Sequence, residues 1–274
     1  MIKDKRIIIT GCAGSIGSEL TRQLAKNNKV FGIDQNESGF FDIQQETGIF
    51  GRVGDIKDKA TIFDIFSDFK PEMVFHAAAY KHVPLMERYP EEAVKTNILG
   101  TLNLISEAKN WECMEKFVFI STDKAISSQS IMGATKRMGE MMVKNSGDGF
   151  CAVRFGNVLS SRGSLIKIWE KQIEEGKNIT VTDKKMERYF MTIQEACELV
   201  IMAGEESEGG EIFVLDMGKP VNIHKLAEKL VKEMGVDNKI ELIGVREGET
   251  LGEGLMFEEE ARRAIKKDKF FIIK

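Results

Sequence analysis

The chain of 274 residues contains no apolar run approaching the roughly 18–20 residues that a bilayer-spanning helix needs. Its first residues offer only Ile7-Ile8-Ile9 as an uninterrupted apolar stretch, too short for the core of a secretory signal. Cysteine is sparse: Cys12, Cys113, Cys151 and Cys197 are widely scattered and form no C-x-x-C pair, which fits neither a disulfide framework nor a zinc site. Histidine is sparser still, with His76, His82 and His224 alone, so no histidine-rich metal centre and no bound metal is expected. Positive charge is not in excess. Lys plus Arg total 39 against 43 for Asp plus Glu, a net charge of −4, which argues against an electrostatic nucleic-acid binder. These absences lead us to expect a reduced, cytoplasmic protein with free thiols that engages neither membrane nor nucleic acid.

What remains is a chain with 42% hydrophobic and 30% charged residues, enough for a sizeable core under a solvated surface. Its first half alternates apolar β-type runs with helical patterns. Strands are expected at 5–10, 30–33, 50–53, 73–78, 117–121 and 150–154. Helices are expected at 15–27, where Ile16, Leu20 and Leu24 recur at i, i+4 and i+8, and at 59–69, 90–109 and 133–144. Continuous apolar strands between amphipathic helices indicate an α/β fold, a parallel sheet covered on both faces and doubly wound by right-handed crossovers. Past residue 155 the rhythm changes: helices at 164–175, 192–203 and 223–233 alternate with short strands at 179–181 and 211–215. The charge-dense stretch 257–267 reads as a solvated helix. The expected plan is a nucleotide-binding domain over residues 1–160, rejoined by a strand near 211–215, and a smaller C-terminal substrate-binding lobe over most of 161–274.

The string Thr10-Gly11-Cys12-Ala13-Gly14-Ser15-Ile16-Gly17 joins the first strand to the first helix. Glycines at 11, 14 and 17 let the backbone approach a pyrophosphate, and the helix N-terminus that follows faces the anion with its positive dipole end. Asp34 ends the second strand about 20 residues on, where an acid can bind the ribose hydroxyls of an adenine dinucleotide; a helix or turn cap is the alternative. Gln35-Asn36-Glu37 follows, without an arginine for a 2′-phosphate, which favours NAD over NADP. Asp55 and Ile56 can meet the adenine ring, and Ala77, Ala78 and Ala79 are small enough for a cofactor to pass; ordinary packing explains either group equally well.

Several longer strings now stand together: Thr10 to Leu20, His76 to Glu87, Phe119 to Ala125, Met132 to Arg137, Val153 to Leu159 and Arg188 to Ile193. With them the chain resembles the extended short-chain dehydrogenase/reductases. Within that superfamily it is similar to the nucleotide-sugar 4,6-dehydratases of polysaccharide and flagellin-glycan synthesis, which act on UDP-N-acetylglucosamine. The resemblance runs from Ile7 to about Leu255. Three departures stand out. Ser127-Ser128 replaces the family's Asn-Pro, Thr250 replaces a lysine after Arg246-Glu247-Gly248-Glu249, and the N-terminal membrane region of many relatives has no counterpart in this sequence.

The resemblance implies an enzyme that oxidises C4 of a hexose, so that the C5 proton becomes acidic, and then loses the C6 hydroxyl. It implies Lys124 as the base at C5 and Asp123 as the acid at C6. The amine would need a lowered pKa, which burial or Lys136 can supply. The superfamily's Tyr-x-x-x-Lys is here Met132-Gly133-Ala134-Thr135-Lys136. Lys136 can hold the nicotinamide ribose, but Met132 cannot ionise, so Thr122 backed by Asp123 is the candidate relay for the C4 proton. The methionine matches the branch that retains configuration at C5. Asn157, Lys81, Arg162, Arg188, Arg246 and Glu249 are candidate substrate contacts, because guanidinium groups grip phosphate oxygens and a carboxylate can hold ribose hydroxyls. A homo-oligomer is expected. Two other readings stay open: a C5-epimerase or partner enzyme acting on the dehydratase product, and a cofactor-bound sensor without turnover.

Overall fold

The computed structural model describes residues 2–126, 129–161 and 163–274. Six parallel strands, β1 (Arg6–Thr10), β2 (Lys29–Asp34), β3 (Phe50–Val53), β4 (Met73–His76), β5 (Lys116–Ile120) and β6 (Phe150–Arg154), form most of a nine-stranded sheet in the spatial order 3-2-1-4-5-6. Ile212–Leu215 then pairs parallel to β6, and Phe270–Ile273 and Ile265–Lys267 close that edge antiparallel. The chain order reverses beside β1, so the carboxyl ends of β1 and β4 open a crevice, the usual ligand site of a doubly wound sheet.

The apolar runs follow from burial on both faces. Ile7 and Ile9 belong to one hydrophobic cluster and Ile8 to the other, all three with no exposed surface. Helix α1 (Ser15–Leu24) buries Gly17, Leu20, Thr21 and Leu24 against the sheet and ends three residues before the expected Asn27. The helix Glu37–Thr47 carries a weaker pattern and was not expected; Asn36 caps it by accepting from the Gly39 N–H, and Gly48 ends it in the left-handed region.

Two further expectations are corrected. The helix expected at 90–109 is three pieces: Pro90–Ala93, a π-helical stretch Val94–Gly100 and Thr101–Asn110. The widened turn places Asn97 where its amide bonds both the N–H and the carbonyl of Tyr80, which pins the loop after β4. The stretch 257–267 is not one solvated helix. Only Glu258–Arg263 is helical; Ile265–Lys267 pairs with Phe270–Ile273 across a turn in which Asp268 has φ 48°. Burial of Phe270 and Ile273 on the sheet outweighs the helical charge pattern.

The smaller lobe has its own core of Trp169, Ile179, Val181, Met186, Ile223 and Ala227. Its helices Leu165–Glu174 and Ile223–Met234 pack around Ile179–Val181, which pairs with Ile240–Leu242. Among the described residues, no helix is long and apolar enough to cross a membrane, and no group of three or more His, Cys, Asp or Glu could hold a metal ion.

Candidate active site

The glycine loop sits where the first strand must turn sharply into α1. Gly11 has φ 69°, and a Cβ there would lie 2.7 Å from the Ala78 nitrogen. A Cβ on Gly17 would collide with the Gly11 carbonyl, so this glycine sets how closely the helix approaches the loop. A Cβ on Gly14 would lie 3.1 Å from the Gly11 carbonyl oxygen, a tight contact. No side chain caps α1 and no acid lies in its first turn, which leaves its positive end facing the crevice.

Two chambers meet at this loop. The first is lined by Gly11, Ala13, Gly14, Asp34, Asp55, Ile56 and Ala77 to Tyr80. Asp34 accepts from the N–H groups of Ala13 and Asn36, both at 2.9 Å, so it fixes the loop and also faces the chamber. Among the described residues, neither lysine nor arginine lines this chamber. Thr96 does line it, and its Oγ1 is buried without a partner. An open backbone cradle, an acid on the wall and an unpartnered hydroxyl fit an adenine dinucleotide.

The second chamber, of about 400 Å³, continues from Gly14, Ser15, Ile16 and Gly17 across Ala77 and Ala79 to Lys81, Thr122, Lys124, Met132, Lys136 and Asn157. Met132, 3% exposed, packs with Met86 and Ala93 and offers no ionisable group. Lys136 is buried, with its ammonium 4.1 Å from the centre of the Phe119 ring. Burial pushes its pKa down to about 7, against the pull of Glu140. His76, spanned by Thr10 and Thr101 at 2.7 and 2.8 Å, is a satisfied core imidazole driven down to about 3 by burial.

A third chamber lies between the sheet edge and the smaller lobe and shares Lys124 and Asn157 with the second. Arg188, Arg246 and Glu249 line it, together with Glu253, which the sequence did not single out. Lys124 is the hinge between the two chambers. Its Nζ lies 3.1 Å from Asp123 Oδ1, 3.3 Å from Asn157 Oδ1 and 3.3 Å from Glu253 Oε1. Burial alone would lower the pKa of this amine, but Asp123 and Glu253 outweigh it and the net direction is upward. The lowering expected for a resting base is thus reversed, because two carboxylates flank the amine.

Asp123 accepts from Thr122 Oγ1 at 2.9 Å and is completely buried; it lines none of the three chambers. Its Oδ2 has no hydrogen-bond partner. Arg188 is mostly committed within the protein. It donates to the carbonyls of Glu187, Thr250 and Leu251 and sits 3.5 Å from Glu253 and 3.6 Å from Glu249. A candidate substrate contact, it lines the third chamber and also ties down the segment carrying Glu249 and Glu253. Glu249 also accepts from the Arg246 N–H. Arg162, and the Ser127-Ser128 departure, lie outside the described residues.

The fold is that of the extended short-chain dehydrogenase/reductases. The chain belongs to the family described as polysaccharide biosynthesis protein, whose family model matches residues 7–274. It is 47% identical over 277 residues to the capsular polysaccharide biosynthesis protein CapD of Staphylococcus aureus, a match covering 94% of this chain and 46% of that protein. The chain thus spans about half the length of that relative, and likewise of the probable polysaccharide biosynthesis protein EpsC of Bacillus subtilis. A UDP-glucose 4-epimerase of Rickettsia typhi is 34% identical, over 96% of this chain and 81% of that protein. The solved structure of Pen from Bacillus thuringiensis superposes with a TM-score of 0.92 at 37% identity, covering 99% of this chain and 88% of that one.

Proposed function

We propose that the protein is an NAD-dependent nucleotide-sugar 4,6-dehydratase that converts UDP-N-acetylglucosamine to a UDP-4-keto-6-deoxy sugar, with retention at C5, in bacterial surface or flagellin glycan synthesis. The observation that carries this reading is Lys124, an amine held between carboxyl groups on the wall shared by the two inner chambers. The crevice between β1 and β4 supports NAD: Gly11 to Gly17 cradle the pyrophosphate, Asp34 takes the adenosine ribose, Asp55 and Ile56 border the adenine, and Lys136 holds the nicotinamide ribose. Structures sharing this fold have been solved with NAD, among them a UDP-glucose 4-epimerase of Thermus thermophilus. NAD, when bound, accepts a hydride from C4 and returns it to C6.

The chain's own groups manage the protons. Thr122, hydrogen-bonded to Asp123, receives the C4 hydroxyl proton in place of the missing tyrosine. Lys124, once its ammonium has given a proton to solvent, takes the C5 proton. Asp123, loaded with the C4 proton through Thr122, gives a proton to the C6 oxygen, which leaves as water; its Oδ2 is buried without a partner. Asn157, Lys81, Arg246 and Glu249 position the sugar nucleotide. The protein works as a homo-oligomer; the exposed Val94, Leu99, Leu102, Met138 and Met141, on the helices flanking the sheet, support this.

The relatives named UDP-glucose 4-epimerase favour a second reading, a C4-epimerase, which shares the first oxidation. Incubation with UDP-N-acetylglucosamine in deuterated water, followed by NMR, separates the two. A dehydratase yields a 4-keto-6-deoxy product carrying deuterium at C5. An epimerase yields a C4-inverted sugar that keeps its C6 hydroxyl and gains no deuterium at C5. Near-normal dehydration by a D123N/K124A variant would reject the proton roles of Asp123 and Lys124.

A further inference from the structure

We propose that Glu253 is a positioning residue: its carboxylate fastens the Lys124 amine at the junction of the second and third chambers and ties that amine to the Arg188 guanidinium. The assignment rests on the dehydratase reading for what the amine does, and on geometry alone for where it is held. A lysine amine sits on a flexible four-carbon stem, so its place is set by the groups that grip it. Lys124 has three such contacts. Asp123, at 3.1 Å, is the adjacent residue of the same short helical turn, Asp123–Ala125, and travels with the lysine's own backbone. Asn157, at 3.3 Å, is uncharged. Glu253, at 3.3 Å, is among the described residues the one charged contact that reaches the amine from a remote segment, the wall of the third chamber.

Glu253 is itself held in place. Its Oε1 lies between two cations, 3.3 Å from Lys124 Nζ and 3.5 Å from Arg188 Nε. Arg188 in turn donates to the carbonyls of Glu187, Thr250 and Leu251, so its guanidinium is anchored to the backbone of two segments. The Arg188 and Glu253 side chains are 8% and 4% exposed, and water does not screen this linkage as it screens a surface ion pair. A continuous connection therefore runs from the backbone around Arg188, through Glu253, to the amine. It keeps Lys124 on the wall that the two chambers share, where a group acting at C5 must stay.

The charged groups facing Glu253 are Lys124, Arg188 and Asp123, with Glu249 beyond the guanidinium. Burial and Asp123 push the Glu253 carboxyl upward against Lys124 and Arg188. With two cations within 3.5 Å it remains a carboxylate at neutral pH. Those facing Lys124 are Asp123, Glu253 and Arg188. Burial lowers the amine, Asp123 and Glu253 raise it, and Arg188 opposes the two acids. Loss of the Glu253 charge should therefore both loosen the amine and let it shed its proton at a lower pH.

The test compares E253Q with wild type, both loaded with NAD. Gln keeps the shape of the side chain and removes its charge; E253M carries the same test where Gln is not tolerated. Acetylation of Lys124 with acetic anhydride, followed peptide by peptide in the mass spectrometer over a range of pH, reads the protonation of the amine without any substrate. Its midpoint should fall by about 1–3 pH units in E253Q, and E253D should return most of that shift. A midpoint that does not move overturns the proposal. With UDP-N-acetylglucosamine, kcat of E253Q should drop about ten- to a hundredfold at its own optimum, while KM stays within about threefold of wild type. A wild-type kcat, or a loss confined to KM, overturns the proposal. A wild type that forms no keto sugar, in a protein whose Lys124 midpoint still depends on Glu253, refutes the dehydratase reading and leaves the hold on the amine standing.

Discussion

Replacing Arg154 by methionine should cost more stability than any comparable surface change. Arg154 ends β6 with no exposed surface and lies between two carboxylates. Its guanidinium meets Glu140 at 2.9 and 2.8 Å, Glu260 at 2.8 and 3.3 Å, and the Leu255 carbonyl at 3.0 Å. R154M removes every one of these bonds and leaves two buried carboxylates with Arg137 as their only cationic contact among the described residues. Breaking a buried pair from one side costs about 3–5 kcal/mol, because the surviving charge is neither solvated nor paired. Chemical denaturation at neutral pH should reveal a loss of that size. The pH dependence gives a second check. Burial alone would raise the Glu260 pKa, but the Arg154 hydrogen bonds and charge outweigh it and hold it low. In the wild type, Glu260 therefore contributes stability above the ordinary glutamate value that is lost as pH falls through its depressed native value. Without Arg154 the effect of burial prevails, and the folded variant gains from protonation. The gap between the two proteins should narrow as pH falls toward about 4.3. A second change, E260Q, should return part of the loss. An R154M protein within about 1 kcal/mol of wild type at neutral pH would refute the reasoning, since only exposed ion pairs are worth so little.

Gly17→Ala should destabilise the fold by about 1–3 kcal/mol, because its methyl must displace the Gly11 carbonyl, and it should weaken NAD binding measured by calorimetry. Lys136→Met should change how stability varies with pH. The native amine, lowered to about 7 by burial, binds fewer protons than the unfolded one up to pH 10.5, so nucleotide-free wild type should gain up to about 1.4 kcal/mol per pH unit across that window, and K136M should not. L102K/M141K should shift the protein to a smaller species in sedimentation while leaving NAD binding unchanged; an unaltered mass would reject that face as the subunit contact.

Local signals carried a large part of the fold. Ile7-Ile8-Ile9, Met73-Val74-Phe75 and Phe117-Val118-Phe119 each point to a strand buried on both faces, since an apolar run without alternation marks neither face for solvent. Gly11, Gly14 and Gly17 declare a loop that needs close backbone approach. The strands that close the far edge were less legible. Ile265 to Ile273 pairs as a hairpin because Phe270 and Ile273 find a place on the sheet beside Ile212–Leu215, some fifty residues away in the chain. The π-helical turn at Val94–Gly100 was likewise invisible, because the periodicity of 90–109 reads as an ordinary helix.

The site divides in the same way. Thr122, Asp123 and Lys124 are neighbours in the chain at the end of β5, so the sequence placed them at the sheet's carboxyl edge. It could not say that Asp123 is enclosed and Lys124 open, because that depends on Gly156 and on the surfaces packed above. Nor could it find Glu253, which reaches Lys124 across 129 positions through a segment with little regular structure, held by Arg188. Short-range stereochemistry and the alternation of apolar residues are written residue by residue, and so the sequence alone determined the doubly wound sheet and its glycine loop. Which carboxyl group meets the amine, and which way the pKa of that amine moves, depends on distances between remote segments and on the exclusion of water between them, and only the folded chain decides these.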